Sequence, residues 1–213
     1  MTLRIDRRAL LAGGAALIAS PGFATSGPAT RVFSVWRNGS DIGRHRLEAR
    51  LTPEGFRIDI DVDIAVKLLG FTAYRYTLTN REVWQGQRIV SVSSRTNDDG
   101  DKGSVEIRRA GSALEIDGAG YSGSEPLDAV TTSYFAPAFL ERRPWISTQS
   151  GKPLEIEARR KSAGQWSVTG DVTVRLSYED GEWVGSEFTT EGERITYQTL
   201  ESTGEIAPLW QQA

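Results

Sequence analysis

The sequence predicts an all-β protein, a curved antiparallel meander of about ten or eleven strands that forms an open or half-closed β-barrel. Three observations predict this fold. Apolar and polar residues alternate along most of the chain, helical periodicity is nearly missing, and glycine-rich turns separate the alternating runs. A chain of 213 residues, 38 % of them hydrophobic, is long enough to bury the core of one domain.

Residues 1–24 have the layout of a cleavable secretory signal. The pair Arg7-Arg8 precedes a weakly apolar run at residues 9–19, and residues 22–24 form a small-x-small cleavage site. The arginine pair indicates the twin-arginine translocase as the partner during export, and therefore a periplasmic or secreted location. The run is much shorter than the roughly twenty residues of a membrane span, so we expect no transmembrane anchor. The alternative interpretation is a disordered basic tail. Residues 25–213 remain as a single β domain.

The predicted strands of the first half follow one another as hairpins. Asn38-Gly39 is a strong hairpin signal, and residues 52–55 (Thr-Pro-Glu-Gly) make the next turn. Gln85-Gly86 and Gly111-Ser112 are later turns, with the polar loop of residues 97–103 between them. In chain order these strands are RVFSVWR, GRHRLEARL, FRIDIDVDIAVKL, TAYRYTLTNREVW, RIVSVSSRT, SVEIRRA and ALEIDGAG.

The last third of the chain repeats the alternating pattern, with turns at Asp180-Gly181 and Glu191-Gly192. Its strands are PLEIEARR, WSVTGDVTVRLSY, WVGSEFTT and RITYQTL. No linker long enough to divide the chain separates the two halves.

The run FRIDIDVDIAVKL, residues 56–68, is the longest predicted strand. Every even position is apolar, and the odd positions are polar except for Ala65. An extended strand of this length spans roughly 43 Å. Burying its even-numbered side chains is worth on the order of 10–20 kcal/mol, so we expect them to line the inside of a bent wall.

A three-residue loop, residues 69–71, is predicted to connect this strand to the next one. A two-residue loop is rejected because it would turn Arg75 and Arg81 into the apolar face. The resulting pairs are Val66–Tyr74, Ile64–Tyr76, Val62–Leu78, Ile60–Asn80 and Ile58–Glu82 on the inner face, and Asp59–Arg81 with the diagonal pair Asp63–Arg75 on the outer face.

Residues 120–150 depart from the alternating pattern and form an insertion. A short helix is predicted at residues 137–142, because proline suits the first turn of a helix. An irregular insertion of about thirty residues in a compact β domain is more often functional than accidental, so we expect it to lie across the mouth of the barrel. The tail after Leu200, with Trp210 near its end, is expected to be loosely held.

Aromatic side chains are the best candidates for a binding site. Tyrosine and tryptophan combine apolar rings with polar groups, which suits amphipathic ligands. Core packing explains each of them taken singly, and it is their concentration in residues 120–150 that favours a site. Asn80 and Glu82 intrude into the apolar face beside Trp84. The predicted ligand-binding residues are Tyr74, Tyr76, Asn80, Glu82, Trp84, Tyr134, Phe139 and Trp145.

Metal and cofactor chemistry has little support in the sequence. His45 is the only histidine, and the flanking Arg44 and Arg46 should lower its pKa and repel cations, which favours a structural role. Residues 97–103 are rich in Asp and Gly but lack the EF-hand spacing, so an ordinary turn is favoured over a calcium loop. The chain has no cysteine, which excludes disulfides and thiolate sites. We therefore predict no metal and no cofactor.

Catalytic motifs are also missing. The sequence has neither a nucleophile elbow nor a dinucleotide-binding glycine motif. Glu82, Asp128 and Glu141 could supply an acid–base pair, but their spacing does not show that any two converge. No residue is predicted to be catalytic.

Four motifs carry a family resemblance: FSVWRNGSDIGRHRL, YRYTLTNREVW, SRTNDDGDKGSVEIRRAG and TTSYFAPAFLE. With them the chain, from about Arg31 to Leu200, resembles the exported bacterial domain-of-unknown-function family 6134. That family is similar to family 3108 and, more distantly, to the open β-barrels of lipoprotein carriers. The resemblance implies an exported β-rich fold and carries no established activity or catalytic residues. Two departures concern the mouth of the barrel: Phe135-Ala136 replaces a Trp-Asn pair, and residues 160–166 lack a hairpin.

These observations favour an exported protein that binds a hydrophobic or amphipathic molecule, with lipid as one class, inside a curved sheet. A formal net charge of −3 with dispersed Lys and Arg makes nucleic acid an unsuitable partner. Two alternatives remain open. One is a cofactor-free enzyme with Glu82 or Asp128 as base beside Tyr76 or Tyr134. The other is a structural envelope-interaction module whose barrel is filled by its own side chains.

Overall fold

The computed structural model describes residues 27–68 and 70–212, apart from the side chain of Leu68. The predicted signal, residues 1–24, lies outside the described residues. Across the two described ranges, no helix is both long enough and apolar enough to cross a membrane.

Most of the described chain is strand, in agreement with the predicted all-β class. The strands are β1 (Ala29–Arg37), β2 (Ser40–Thr52), β3 (Gly55–Leu68), β4 (Phe71–Gln85), β5 (Arg88–Asp98), β6 (Asp101–Ala110), β7 (Ala113–Gly118), β8 (Tyr121–Pro126), β9 (Val130–Thr131), β10 (Trp145–Ile146), β11 (Pro153–Leu154), β12 (Ile156–Ser162), β13 (Gln165–Gly170), β14 (Val174–Glu179), β15 (Glu182–Thr190) and β16 (Glu193–Thr203). A 3-10 helix spans Pro137–Glu141, and α1 spans Ile206–Gln211.

Thirteen of these strands form one antiparallel sheet in the order β12-β13-β14-β15-β16-β1-β2-β3-β4-β5-β6-β7-β8. Sequential hairpins build both halves, and the pairing of β1 with β16 joins them. The edge strands β8 and β12 do not pair with each other, so the sheet curls around its core without closing. The predicted open antiparallel barrel is confirmed. Strands β9, β10 and β11 form a separate small sheet.

The main sheet has more strands than the sequence predicts, for two local reasons. The run WSVTGDVTVRLSY is divided into β13 and β14 by a turn, in which Asp171 exchanges hydrogen bonds of 2.9 and 2.8 Å with the backbone of Glu155. In addition, the start of the insertion continues the meander as β8, which pairs with β7.

The predicted register of the long hairpin is confirmed from Ile58–Glu82 to Val66–Tyr74. On the outer face Arg81 contacts Asp59 at 2.7 Å and Arg75 contacts Asp63 at 2.8 Å, also as predicted. The loop is shorter than predicted, because Leu68 pairs with Phe71. Beyond the Val66–Tyr74 pair a β-bulge adds one residue to β4, since Lys67 pairs with Thr72. This extra residue offsets the shorter loop and keeps Arg75 and Arg81 on the outer face.

The inner face of β3 is covered at its beginning, where Phe56 and Ile58 are 0 % exposed. Aromatic rings pack there edge to face, with centroid separations such as 5.1 Å for Trp84–Trp210 and 4.7 Å for Phe135–Phe139. We call this the closed end of the barrel, defined by Phe56, Trp84, Phe135, Phe139 and Trp210.

The C-terminal tail belongs to this closed end, so the expectation of a loosely held tail is wrong. Trp210 is 5 % exposed and contacts four of the other aromatic rings. A buried ion pair anchors α1: Arg31 Nη2 lies 2.7 Å from Glu182 Oε2, and Glu182 Oε1 accepts the Ala207 N–H at 2.7 Å. Arg31 also donates to the Gly204 carbonyl at 2.9 Å.

The 120–150 insertion contains the predicted short helix and lies directly on the sheet. Two glycines permit this close approach. A Cβ at Gly118 would lie 2.6 Å from the Ser150 carbonyl oxygen, and one at Gly103 would lie 2.9 Å from the Gln149 carbonyl oxygen. Any side chain at these positions would push the insertion away from β6 and β7.

Candidate ligand-binding site

Glu82 lies at the centre of a buried polar network inside the barrel. Asn80 Nδ2 and Trp84 Nε1 donate to its two carboxylate oxygens at 2.7 and 2.9 Å, and Ser133 Oγ donates at 3.3 Å. Burial raises the pKa of Glu82, while these hydrogen bonds oppose the shift. Since Ser133 belongs to the insertion and Glu82 to β4, the network ties the insertion to the sheet.

Four of the predicted ligand-binding residues are fully enclosed by the protein. Glu82, Trp84, Phe139 and Trp145 are each 0 % exposed. The indole of Trp145 donates to the Phe139 carbonyl at 2.9 Å, and the rings of Trp84 and Phe139 lie 5.2 Å apart. These residues are part of the core, so a ligand would contact them only if the closed end opened.

The inner face is less covered at the opposite end of the barrel. Along β3, Ile60 and Val62 are buried, whereas Ile64 and Val66 are only half-buried although they face the same side. We call this the open end, defined by its half-buried, inward-facing residues: Ile64, Tyr74, Tyr76, Tyr134, Phe188 and Tyr197. Three of the predicted site residues, Tyr74, Tyr76 and Tyr134, are in this group.

Buried polar atoms lie just below the open end. Asn80 and Ser94 are directly opposite each other on β4 and β5 and are 4 % and 1 % exposed. His45 follows on β2 opposite Val62, and its ring lies 5.3 Å from that of Trp183 and 5.5 Å from that of Tyr197. We call His45, Asn80 and Ser94 the polar floor.

The polar floor has unused hydrogen-bonding capacity. Within the described residues, four of its buried atoms have no hydrogen-bond partner: His45 Nδ1, His45 Nε2, Asn80 Oδ1 and Ser94 Oγ. Native proteins rarely leave buried polar atoms unsatisfied, because each one costs roughly 1–3 kcal/mol. The floor can therefore accept and donate hydrogen bonds to a group placed above it.

Burial lowers the pKa of His45 to about 3, so its imidazole is neutral. The sequence predicts a lowered pKa but assigns it to Arg44 and Arg46. Successive side chains of a strand point to opposite faces, so both arginines lie on the outer face, and Arg44 pairs there with Asp41 at 2.7 Å. The direction of the prediction is confirmed, and its cause is desolvation.

The tyrosines of the open end are neutral as well. Burial raises the pKa of Tyr134 to about 12, and it raises the pKa values of Tyr76 and Tyr197 further. The pKa of Tyr74 is raised by burial and then by its hydrogen bond with Asp98. The phenols thus combine apolar rings with uncharged hydroxyl groups.

Tyr134 also has a strained backbone. Its φ of +55° lies in the left-handed region, which non-glycine residues seldom adopt. Tyr178 Oη holds this conformation by donating to the Tyr134 carbonyl at 2.8 Å, and the Tyr134 ring packs on Trp145 with centroids 5.4 Å apart. Such strain persists only where neighbouring contacts hold it, and here these contacts hold Tyr134 at the open end.

The candidate carboxylates do not converge. Glu82 is enclosed, whereas the Asp128 side chain is 72 % exposed and pairs with Arg88 at 3.6 Å, and Glu141 is exposed. Among the hydrogen bonds found for Glu82 in the described chain, none comes from a tyrosine. Residues 97–103 are the tip of the β5–β6 hairpin, with Asp99-Gly100 as its turn, and the described ranges contain no acidic or histidine cluster suited to a metal ion.

Four residues at the centre of this site are not among the predicted site residues: His45, Ser94, Phe188 and Tyr197. The signal that could have revealed them is register. Pairing β2 with the long strand places His45 opposite Val62 on the apolar face, and pairing β5 with β4 places Ser94 opposite Asn80. Sequence spacing alone does not show the long-range pairing of β1 with β16 that brings Tyr197 to the same end.

Comparison with known proteins supports the fold and supplies no activity. Residues 33–199 match the model of a family described as "Domain of unknown function (DUF6134)". The chain is similar in structure to a beta-barrel-like protein of domain of unknown function DUF1849 from Brucella abortus, with 8 % identity and a TM-score of 0.57 over 84 % of this chain and 98 % of that one. At this identity the similarity shows the fold alone. No curated protein matches the sequence.

Proposed function

The chain belongs to the DUF6134 family, and because that membership assigns no activity, we propose from the geometry of the barrel that it is an exported protein that binds an amphipathic small molecule at its open end. The observation that carries the proposal is the polar floor, with its unpartnered atoms beneath a group of half-buried aromatic rings.

The chemistry of the site limits the ligand's polar group. Neutral His45 offers one donor and one acceptor, Asn80 Oδ1 accepts, and the Ser94 hydroxyl does either. The three floor residues are themselves uncharged, since His45 is neutral, so they would supply no counter-ion to a charged group buried against them, at high cost. The site therefore fits an uncharged polar head group, such as a hydroxyl, ester or amide, whose apolar chain lies against the open end.

Export is the second part of the proposal. It is supported by the Arg7-Arg8 pair and the short apolar run that follows it. Replacing both arginines with lysine should keep the protein in the cytoplasm, as measured by cell fractionation. Unchanged recovery of the variant outside the cytoplasm would contradict the twin-arginine route.

A fluorescent monoacylglycerol tests the binding site directly. We expect the purified protein to bind this probe more tightly than the corresponding fatty acid, which carries a charge. Ser94→Ala and His45→Phe should each raise the Kd about five- to tenfold, since each removes a hydrogen bond worth about 1 kcal/mol. Leu200→Ser, at an apolar residue that is 51 % exposed, is the matched control and should leave the Kd unchanged.

A filled, structural barrel is the second candidate function, and the closed end favours it. If organic extraction of the purified protein releases no lipid-like species and neither probe binds, the polar floor is not a ligand site. The protein would then be better described as an envelope-interaction module, since its core is filled by its own aromatic residues.

A further inference from the structure

The β3–β4 hairpin extends beyond the strands on either side of it. The β2–β3 ladder ends at Gly43–Ile64, whereas β3 continues to pair with β4 as far as Leu68. Along residues 65–68, β3 therefore has a strand partner on one side, and the described chain supplies none on the other.

A bulge draws β2 away from this edge. Val35 pairs with Gly43 but Trp36 pairs with Asp41, so Ile42 is an extra residue in β2. Asp41 Oδ1 then accepts the Gly43 N–H at 3.1 Å. At the end of the β2–β3 ladder the two backbones are very close, since a Cβ on Gly43 would lie 2.1 Å from the Asp63 carbonyl oxygen. Beyond it, the two strands separate.

The free edge presents backbone groups to this gap. The Arg75 carbonyl accepts the Asp99 N–H at 2.7 Å, and the Arg75 N–H donates to Asp99 Oδ1 at 3.3 Å, so both groups point away from β3. In an antiparallel ladder the opposite residue of such a pair also points away. Ala65, the partner of Arg75, therefore directs its N–H and carbonyl into the gap, and Lys67 repeats this orientation two residues later.

The gap is a groove of about 900 Å³ between the β1–β2 turn and the β3 edge. Most charges along it are paired, as in Arg37–Glu193 at 3.2 Å and Arg44–Asp41 at 2.7 Å. Lys67 lines the groove and, within the described ranges, has no carboxylate at ion-pair distance. One positive charge is thus available beside a row of unpaired backbone groups.

We propose that this groove receives an extended peptide segment of a partner protein, which adds a strand to β3 at Ala65 and Lys67 and places an acidic side chain beside Lys67. Backbone hydrogen bonds to the free edge supply the affinity, and the lysine selects the side chain. The groove runs along the edge of β3, and none of the three polar-floor residues lines it.

A displayed library of random short peptides, selected on the purified mature protein, tests this inference. We expect enrichment of peptides with alternating apolar residues and an acidic position. Upon binding, the amides of Ala65 and Lys67 should exchange at least tenfold more slowly in hydrogen-exchange experiments. Ala65→Pro should abolish binding, because it removes the N–H that faces the groove while the β3–β4 bonds remain.

Lys67→Glu keeps the test valid if the proline variant fails to fold. Selection on this variant should enrich basic instead of acidic peptides, whereas the matched control Lys161→Glu, at an exposed position of β12, should not. Failure to enrich any peptide, or binding that leaves the Ala65 and Lys67 amides unprotected, would overturn the proposal.

Discussion

Glu82 and His45 are both buried titratable residues, and burial shifts their pKa values in opposite directions. The pKa of Glu82 is raised, and the pKa of His45 is lowered. Desolvation explains both shifts, since it disfavours the charged form of either group. As the pH rises, Glu82 should therefore lower the free energy of unfolding, whereas His45 should raise it.

Glu82 should make the folded protein less stable as the pH rises. Its pKa in the folded chain lies above the ordinary value of 4.5, so its contribution is complete below that pH and is lost as the pH increases toward the folded pKa. The free energy of unfolding of the wild type, relative to Glu82→Gln, is therefore expected to fall above about pH 4.5. Urea denaturation of both proteins across the pH range measures this difference, and a rise would contradict it.

His45 should have the opposite effect. Its pKa falls from 6.5 to about 3 on folding, so its contribution is present above pH 6.5 and is lost as the pH decreases. Relative to His45→Phe, the wild type should lose about 4 kcal/mol of unfolding free energy between these two pH values. Denaturation curves for the pair provide the measurement. A pH-independent difference would mean that His45 is solvated in the folded protein.

At the scale of single residues, the sequence predicts the intrusion of Asn80 and Glu82 into the apolar face, and this is confirmed. It does not reveal that Glu82 is satisfied by Ser133, because that contact joins residues separated by 51 positions. Of the polar floor, only Asn80 is predicted as a site residue, because His45 and Ser94 join it only once the register of β2 and β5 against their neighbours is known.

The secondary-structure elements differ in how much of them the sequence predicts. The β3–β4 register could be derived because charges alternate strictly with apolar residues, so a one-residue slip would bury arginines. Helix α1 is too short for a helical period to be recognised, and Pro208 lies within it. Its only signal is the spacing of Ile206, Leu209 and Trp210, which places three buried residues on one side.

Trp210 should be the residue through which α1 stabilises the barrel. We expect Trp210→Ala to lower the free energy of unfolding by about 3–5 kcal/mol, because it leaves a cavity among the aromatic rings of the closed end. Leu200→Ala, at an exposed position of the neighbouring strand β16, should change it by less than about 0.5 kcal/mol. Equal effects of the two substitutions in thermal or urea unfolding would show that the tail does not close the barrel.

At the scale of the whole molecule, one hydrophobic cluster connects the two halves of the sheet, the insertion and α1. The all-β class and the meander follow from alternating patterns and turns, which are local. The joining of the two halves cannot be predicted from such local patterns, because it depends on pairing between the first strand, β1, and the last strand, β16.

This shared core predicts a single unfolding transition. Tryptophan fluorescence, which reports Trp84, Trp145, Trp183 and Trp210 in the core, should follow the same urea curve as far-UV circular dichroism. Two separated midpoints would show that the halves of the sheet unfold independently.

The pairing of β1 with β16, together with the burial of Trp210, also determines when the protein can be completed during its synthesis. Strands β1 to β8 can pair as they leave the ribosome, but the second edge of β1 waits for β16, the last strand to be made. Helix α1, whose Trp210 packs into the closed end, is made after β16. The core is therefore completed only once β16 and α1 are both present, and a chain cut short before α1 would expose its interior to chaperones and proteases.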